Sequence, residues 1–319
     1  MAMYMLAFIA FALDLARRSA DVTAAVNETA STVPSVRGTM SSNGTRSRRP
    51  DSPLTRVDTA APQIQARQSP VLRVALALSV LGFLLHFAAV VTRGVAAGRV
   101  PWANMYEFGL TGSLLIIAIY LVVLLRLDLR FLGTFITGLV LVLLGIAVVD
   151  FYVEITPLPP ALQSAWLVVH VFVASAATAF FALGFALSAL QLAQHRREGR
   201  GEDLTKLKLK FLATLPSAVR LEDLAYRTNI VGFILWTFTL IAGAIWAERS
   251  WGRYWGWDTK EVWTFIIWVI YAGYIHARAT RGWRGSRSAW LGIIGFVAVM
   301  FNFSVVNLFF KGLHAYSGL

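Results

Sequence analysis

Eight apolar segments dominate this chain: Met1–Ala16, Val71–Val91, Phe108–Leu125, Phe131–Val149, Ala165–Leu190, Ile230–Ala247, Val262–Ala277 and Ala289–Phe310. A helix needs roughly 20 apolar residues, at about 1.5 Å each, to cross the hydrocarbon core of a bilayer. Seven of the segments read as membrane spans. The first is short, interrupted by Asp14, and followed rather than preceded by its basic residues, Arg17 and Arg18. A cleavable signal carries its positive charge in front, so Met1–Ala16 reads as a retained anchor with its N-terminus outside. With 57% hydrophobic and only 14% charged residues, a water-soluble globule is excluded in favour of an all-α, polytopic membrane protein of about eight transmembrane helices.

Between Arg17 and Pro70 the composition turns to Ala, Ser, Thr, Pro and Arg with almost no aromatic residues. Such a stretch buries too little surface to offset chain entropy and reads as a disordered basic linker, 17–70. The membrane domain then occupies 71–319. The net charge of +12 could suggest nucleic acid, but its distribution argues otherwise. The loops Arg17–Arg73, Arg126–Arg130, Gln191–Asn229 and Arg278–Arg287 hold 23 basic and 10 acidic residues, whereas the alternate set holds 6 of each. Positive loops stay in the cytoplasm, so both termini and the Glu248–Glu261 loop are expected outside. Cysteine is absent, which removes disulfides, thiolate metal sites and a cysteine nucleophile from this chain.

The outer loop between the sixth and seventh spans reads Trp251-Gly-Arg253-Tyr-Trp255-Gly-Trp257-Asp258-Thr-Lys260-Glu261-Val-Trp263. Interfacial belts use one or two Trp per helix end, so an aromatic platform for a planar ligand fits better, with porphyrin a natural match. Asp258 and Glu261 read as loop-fixing groups by pairing or capping, and Arg253 and Lys260 as partners for ligand carboxylates. A second outer loop, Pro101-Trp-Ala-Asn-Met-Tyr-Glu-Phe108, fits a ligand-side interfacial helix and a plain amphipathic hairpin equally.

Five histidines remain to be placed. His170 and His314 both fall on the outer side, near the tryptophan loop. Taken singly, each serves as well for helix–helix hydrogen bonding as for ligation; together they could fill both axial positions of an iron porphyrin. His276 lies thirteen residues beyond Trp263, about 20 Å down a helix, and would belong to a separate inner site, with Gly273 one turn earlier leaving room for a ring. His195 reads as a solvated loop residue and His86 as structural.

The stretch WGRYWGWDTKEVW, with PWANMYEF before it, resembles the tryptophan-rich "WWD" signature of cytochrome c assembly membrane proteins. The similarity runs from about Val71 to Leu319 and is greatest to the CcsA/ResC type of the system II pathway, labelled CcsB in some bacterial lineages. A haem-handling group of the system I pathway shares the loop. The resemblance implies a multi-pass protein of a bacterial plasma membrane that moves haem b outward. The haem would then be presented for attachment to the CxxCH thiols of an apocytochrome c. It implies that His170 and His314 are outer axial ligands and that His276 is the intramembrane histidine. Trp251, Trp255, Trp257, Asp258 and Trp263 would belong to the haem-binding loop. It further implies a ResB-like partner subunit forming a haem-attachment complex, with thiol-reducing proteins acting indirectly. The competing readings are a bis-histidine b-type electron carrier, a transporter of another substrate, and a scaffold for the partner.

Overall fold

The computed structural model describes residues 1–32, 69–158, 160–200, 210–280, 282–310 and 312–314. Eight long helices carry the fold: α1 (Ala2–Thr32), α2 (Pro70–Ala97), α3 (Met105–Leu124), α4 (Gly133–Asp150), α5 (Ala165–Arg200), α6 (Ala218–Trp251), α7 (Thr259–Thr280) and α8 (Ser286–Phe301). α8 runs on through a π-helical turn, Asn302–Val306, into a last helical turn, Asn307–Phe309. Among the described residues there is no strand. Six helical stretches are long and apolar enough to cross a membrane: Pro70–Ala97, Met105–Leu124, Arg130–Asp150, Ala165–Gly199, Ala218–Trp251 and Ser286–Phe309. The protein is therefore an all-α, multi-pass membrane protein. The two remaining expected spans are also helical, as α1 and α7, but fall outside those six.

Helix ends follow local chemistry. The Ser69 hydroxyl accepts from Leu72 N–H at 3.1 Å, and Pro70 supplies a first-turn residue with no amide hydrogen to satisfy. Asn104 caps α3 by accepting from Glu107 N–H at 2.9 Å. At the far end of α6, Gly252 takes the left-handed conformation (φ 69°) that stops the helix and turns the chain into the tryptophan-rich loop.

α1 corrects one expectation. It continues past Ala16 as far as Thr32, so the segment read as linker from residue 17 is helical at its start. The stretch is rich in alanine, and the first proline comes at Pro34 with no glycine before it, so nothing breaks the helix. The rest of that segment, 33–68, lies outside the described residues. Asp14, which interrupts the first apolar segment, is buried and paired: Arg18 Nη2 lies 2.8 Å from it and the Ser69 hydroxyl donates to it. α1 is docked rather than loose, with the Tyr4 ring filling the space beside Gly82 and the Phe11 ring that beside Gly133. His86 is buried in this interface with its Nδ1 3.3 Å from the Tyr4 hydroxyl, in keeping with its structural reading.

The functional half of the molecule is built on α5 and α6, which form the most extensive helix pair; α8 and α3 pack on α5. At its centre the Phe181 and Tyr271 rings stack at 3.7 Å and 7°. Beyond them, at the end opposite the tryptophan loop, Arg278 pairs with Glu222 at 3.3 Å and Asp223 at 2.7 Å. Glu222 also accepts from Gly285 N–H at 2.8 Å, locking the α7–α8 turn to α6.

Candidate functional site: a deep cavity beside the tryptophan-rich loop

One large cavity opens at the end of the bundle that carries the tryptophan-rich loop. α3 lines it with Met105, Phe108, Gly109, Gly112, Ser113 and Ile116, and α5 with Leu167, His170, Val171, Ala174, Ser175 and Thr178. The two sets have the same 3–4 spacing, one face of each helix. The last span contributes positions from Phe296 to Asn307. On all three helices the lining runs over twelve residues, eleven steps of about 1.5 Å, or about 16 Å of depth. The walls are mostly apolar, with Ser113, Ser175 and Thr178 among them, while His170, Lys260, Asn307 and His314 gather at the end nearest the tryptophan-rich loop.

His170 is held from α6. Its Nδ1 lies 3.0 Å from the Thr239 carbonyl oxygen. A carbonyl only accepts, so Nδ1 carries the hydrogen and Nε2 keeps its lone pair. The ring stacks on Trp246 with centroids 5.8 Å apart at 16°. The same indole meets His314 edge to face at 5.5 Å, and Trp251 meets His314 at 4.9 Å. Two histidines separated by 144 positions in the chain thus abut one tryptophan on the cavity lining.

The segment that carries His314 is tied down by Asp258. Its Nδ1 lies 3.4 Å from Asp258 Oδ1, while Asp258 Oδ2 accepts from Leu313 N–H at 2.6 Å and Oδ1 from Lys260 N–H at 2.8 Å. Glu261 completes a capping box by accepting from the amides of Asp258 (3.1 Å) and Gly256 (2.8 Å). The His314 imidazole beside Asp258 and these backbone donors hold the carboxyl well below the usual carboxylate range. Asp258 therefore works as a clamp between loop and C-terminal segment, and the pairing-or-capping expectation describes both acids. Asp258→Ala should cost about 1.5–3 kcal/mol, the range for hydrogen bonds to a charged group, seen as a lower unfolding midpoint in detergent. Unchanged stability would show that the clamp bears no weight.

Lys260 points into the cavity, where its Nζ donates to Asn307 Oδ1. Asn307 comes from the turn that follows the π-helix, and Asn302 from its start. π-Helical turns recur at functional sites. The Thr264 hydroxyl donates to Lys260 O and accepts from Asn302 Nδ2, which leaves Asn302 Oδ1 on the cavity side. That oxygen and Trp102 Nε1, both on the lining, are buried without a protein hydrogen-bond partner among the described residues.

The other expected residues divide. Trp251 reaches the cavity rim through His314 and Trp246. Trp255, Trp257 and Trp263 are not on the lining. Trp255 and Trp257 meet at 89°, Trp263 packs on Phe301 at 4.4 Å, and Trp257 is 78% exposed. No single flat platform is formed. Gly252 turns the chain through its left-handed φ of 69°, and Gly256, having no Cβ, leaves room for the guanidinium of exposed Arg253 to lie over it. His276 is exposed on α7 and away from the cavity, and His195 is exposed on α5. The PWANMYEF loop is neither an interfacial helix nor a simple hairpin. Buried Glu107 accepts from Arg93 Nε (3.1 Å), Arg99 Nη1 (2.7 Å) and Ala103 N–H (2.8 Å), a knot that sets Trp102 and Met105 against the cavity.

Trp246, Asn302 and Asn307 are cavity residues outside the sequence motifs, whereas Trp102, Met105 and Phe108 come from the loop whose ligand-side role the sequence left open. The signal for the walls was present as small residues at helical spacing: Gly109, Gly112 and Ser113 on α3, and Ala174, Ser175 and Thr178 on α5.

The family model described as cytochrome C assembly protein matches residues 102–314, the stretch that builds this cavity. The chain is 36% identical over 246 residues to the cytochrome c biogenesis protein CcsA of Guillardia theta, covering 72% of this chain and 80% of that one. It is 34% identical over 257 residues to CcsA of Chlorella vulgaris, covering 72% and 81%. To CcsA of Prochlorococcus marinus it is 40% identical over 177 residues, covering 50% and 56%. With the family model spanning most of the chain and relatives aligned along the greater part of their length, the protein belongs to the cytochrome c assembly family, in its CcsA group.

Proposed function

We propose that this protein, which acts in cytochrome c biogenesis, takes haem b as its substrate and holds it in the outer cavity for attachment to the CxxCH thiols of an apocytochrome c. The observation that carries this reading is the convergence of His170 and His314 on one apolar cavity with Lys260 at its polar end. The donor set fits iron porphyrin. His170 offers an imidazole Nε2 lone pair, and cysteine is absent from the chain. A cavity about 16 Å deep with mostly apolar walls would take a macrocycle better than the exposed loop, whose tryptophans form no single flat surface. Lys260, braced by Asn307, would take a propionate in a site where a desolvated cation favours an anion. Arg253, outside the cavity, would meet the second propionate or the incoming chain.

In this reading His170 and His314 would retain the iron, Trp246 and Trp251 would keep both rings in place, and Asp258 would hold the segment that carries His314. The histidine of the CxxCH segment would displace one of the two, so positioning is the chain's contribution to the reaction. His276, exposed on α7, would serve an inner site completed by a ResB-like partner. α1 and α7 would cross the membrane with the other six helices, placing both termini and the cavity outside a bacterial plasma membrane.

The test is spectroscopic. Protein purified with its partner should show a haem Soret band, and His170→Ala or His314→Ala should lose the outer haem and abolish c-type maturation. Survival of maturation in both variants would overturn the axial assignment. A haem that cycles with redox partners in the absence of any apocytochrome would favour the electron-carrier alternative.

A further inference from the structure

We infer that one face of α6, formed by Thr239, Gly243 and Trp246, is a cradle that sets the tautomer and direction of His170, with Gly243 as its positioning residue. The inference rests on the proposed role of His170 as an iron ligand and goes beyond it to what makes that imidazole competent. Positions 239, 243 and 246 follow at intervals of four and three, so they stack along a single side of the helix. Each does a different job for the same ring. The Thr239 carbonyl accepts from Nδ1 at 3.0 Å, which commits the hydrogen to that nitrogen. The Trp246 indole lies nearly parallel to the ring, at 16°. Gly243 lets the imidazole approach the helix closely enough for both contacts: a Cβ there would lie 2.7 Å from His170 Cε1 and 2.9 Å from Nδ1.

The three atoms nearest that Cβ position all belong to His170. Nothing else in the fold asks for glycine at this position, since the backbone there is ordinary helix. A glycine inside a helix costs up to about 1 kcal/mol relative to alanine, so its presence needs a compensating contact. The histidine ring is that contact. The consequence is chemical: Nε2 is left as the lone-pair nitrogen, on an imidazole that two aromatic and peptide contacts hold in one orientation. Groups of this kind behind a ligating histidine usually matter about 10- to 100-fold in metal affinity.

The test is a double-substitution cycle in the full chain co-expressed with its partner, read by the Soret band, by electron paramagnetic resonance of the ferric haem, and by the unfolding midpoint of haem-free protein. Gly243→Ala should push the ring from α6, weaken haem retention about 10- to 100-fold, and replace the six-coordinate low-spin signal by a five-coordinate or mixed one. On a His170→Ala background the same change should do nothing further, because the atoms the new Cβ would meet are gone. If Gly243→Ala alone fails to accumulate, recovery in the double variant supports the cradle equally. A wild-type spectrum in Gly243→Ala overturns the inference, and so does an equal loss in both backgrounds, which would mark an effect on helix packing alone. Haem absent from the wild-type complex would instead remove the ligand role itself, and this inference with it.

Discussion

Gly112→Phe is expected to leave the protein folded and inserted while filling its cavity with a phenyl ring that competes with any ligand there. Gly112 sits on the α3 face of the lining, and a Cβ built there meets nothing within 4 Å, so a larger side chain enters open space rather than a neighbour. Replacing a mid-helix glycine by phenylalanine also recovers part of glycine's propensity penalty of up to about 1 kcal/mol relative to alanine, so the unfolding midpoint should hold or rise. A ligand that reaches between α3 and α5 would then have to displace the phenyl ring. Overpacking of this kind costs about 1–3 kcal/mol, or roughly 5- to 150-fold in affinity. Haem content and c-type cytochrome yield should fall together. Trp257→Ala is the matched control, since that side chain is 78% exposed and off the lining. Normal haem in Gly112→Phe with loss in Trp257→Ala would move the site back to the surface loop.

The second large effect is on stability. Glu107→Ala should destabilise the protein by about 3–5 kcal/mol, the range for removing one member of a buried ion cluster. The Glu107 side chain is fully buried, and those of Arg93 and Arg99 are only 11% and 12% exposed. Without the carboxylate two guanidinium groups are left facing each other with little water to solvate them. Arg93 retains the Val153 carbonyl at 3.0 Å and the Tyr106 ring at 5.2 Å, which keeps it in place rather than letting it swing outward. Thermal unfolding in detergent measures the loss. Because the knot carries Trp102 and Met105, haem retention should drop alongside. Glu107→Gln, which keeps shape and one set of hydrogen bonds, should fall between the two. A change under about 1 kcal/mol in Glu107→Ala would mean that the arginines find other partners.

Much of the architecture could be read from local chemistry. The expected segments are all helical, the Asp258/Glu261 cap follows from residue types at fixed spacing, and the family shows in the loop Trp251–Trp263. α1 extends to Thr32, past the expected start of the linker, because helix propensity does not depend on the aromatic residues that this stretch lacks and alanine supplies it. The site itself was only half legible. His170 and His314 could be assigned to the same end of the bundle, but the tryptophan cluster suggested a surface platform where there is a rim.

The sequence alone determined that this chain lives in a membrane as a bundle of helices, because runs of apolar residues leave the backbone no other way to satisfy its hydrogen bonds. It also determined the uneven charge of alternate loops, since that is a matter of counting. Only the tertiary structure decided which helix faces meet. In membrane helices the side facing lipid is as apolar as the side facing protein, so periodicity carries little contrast between them. The depth of the cavity, the meeting of His170 and His314 across Trp246, and the clamp of Asp258 on the C-terminal segment arise from that choice of faces.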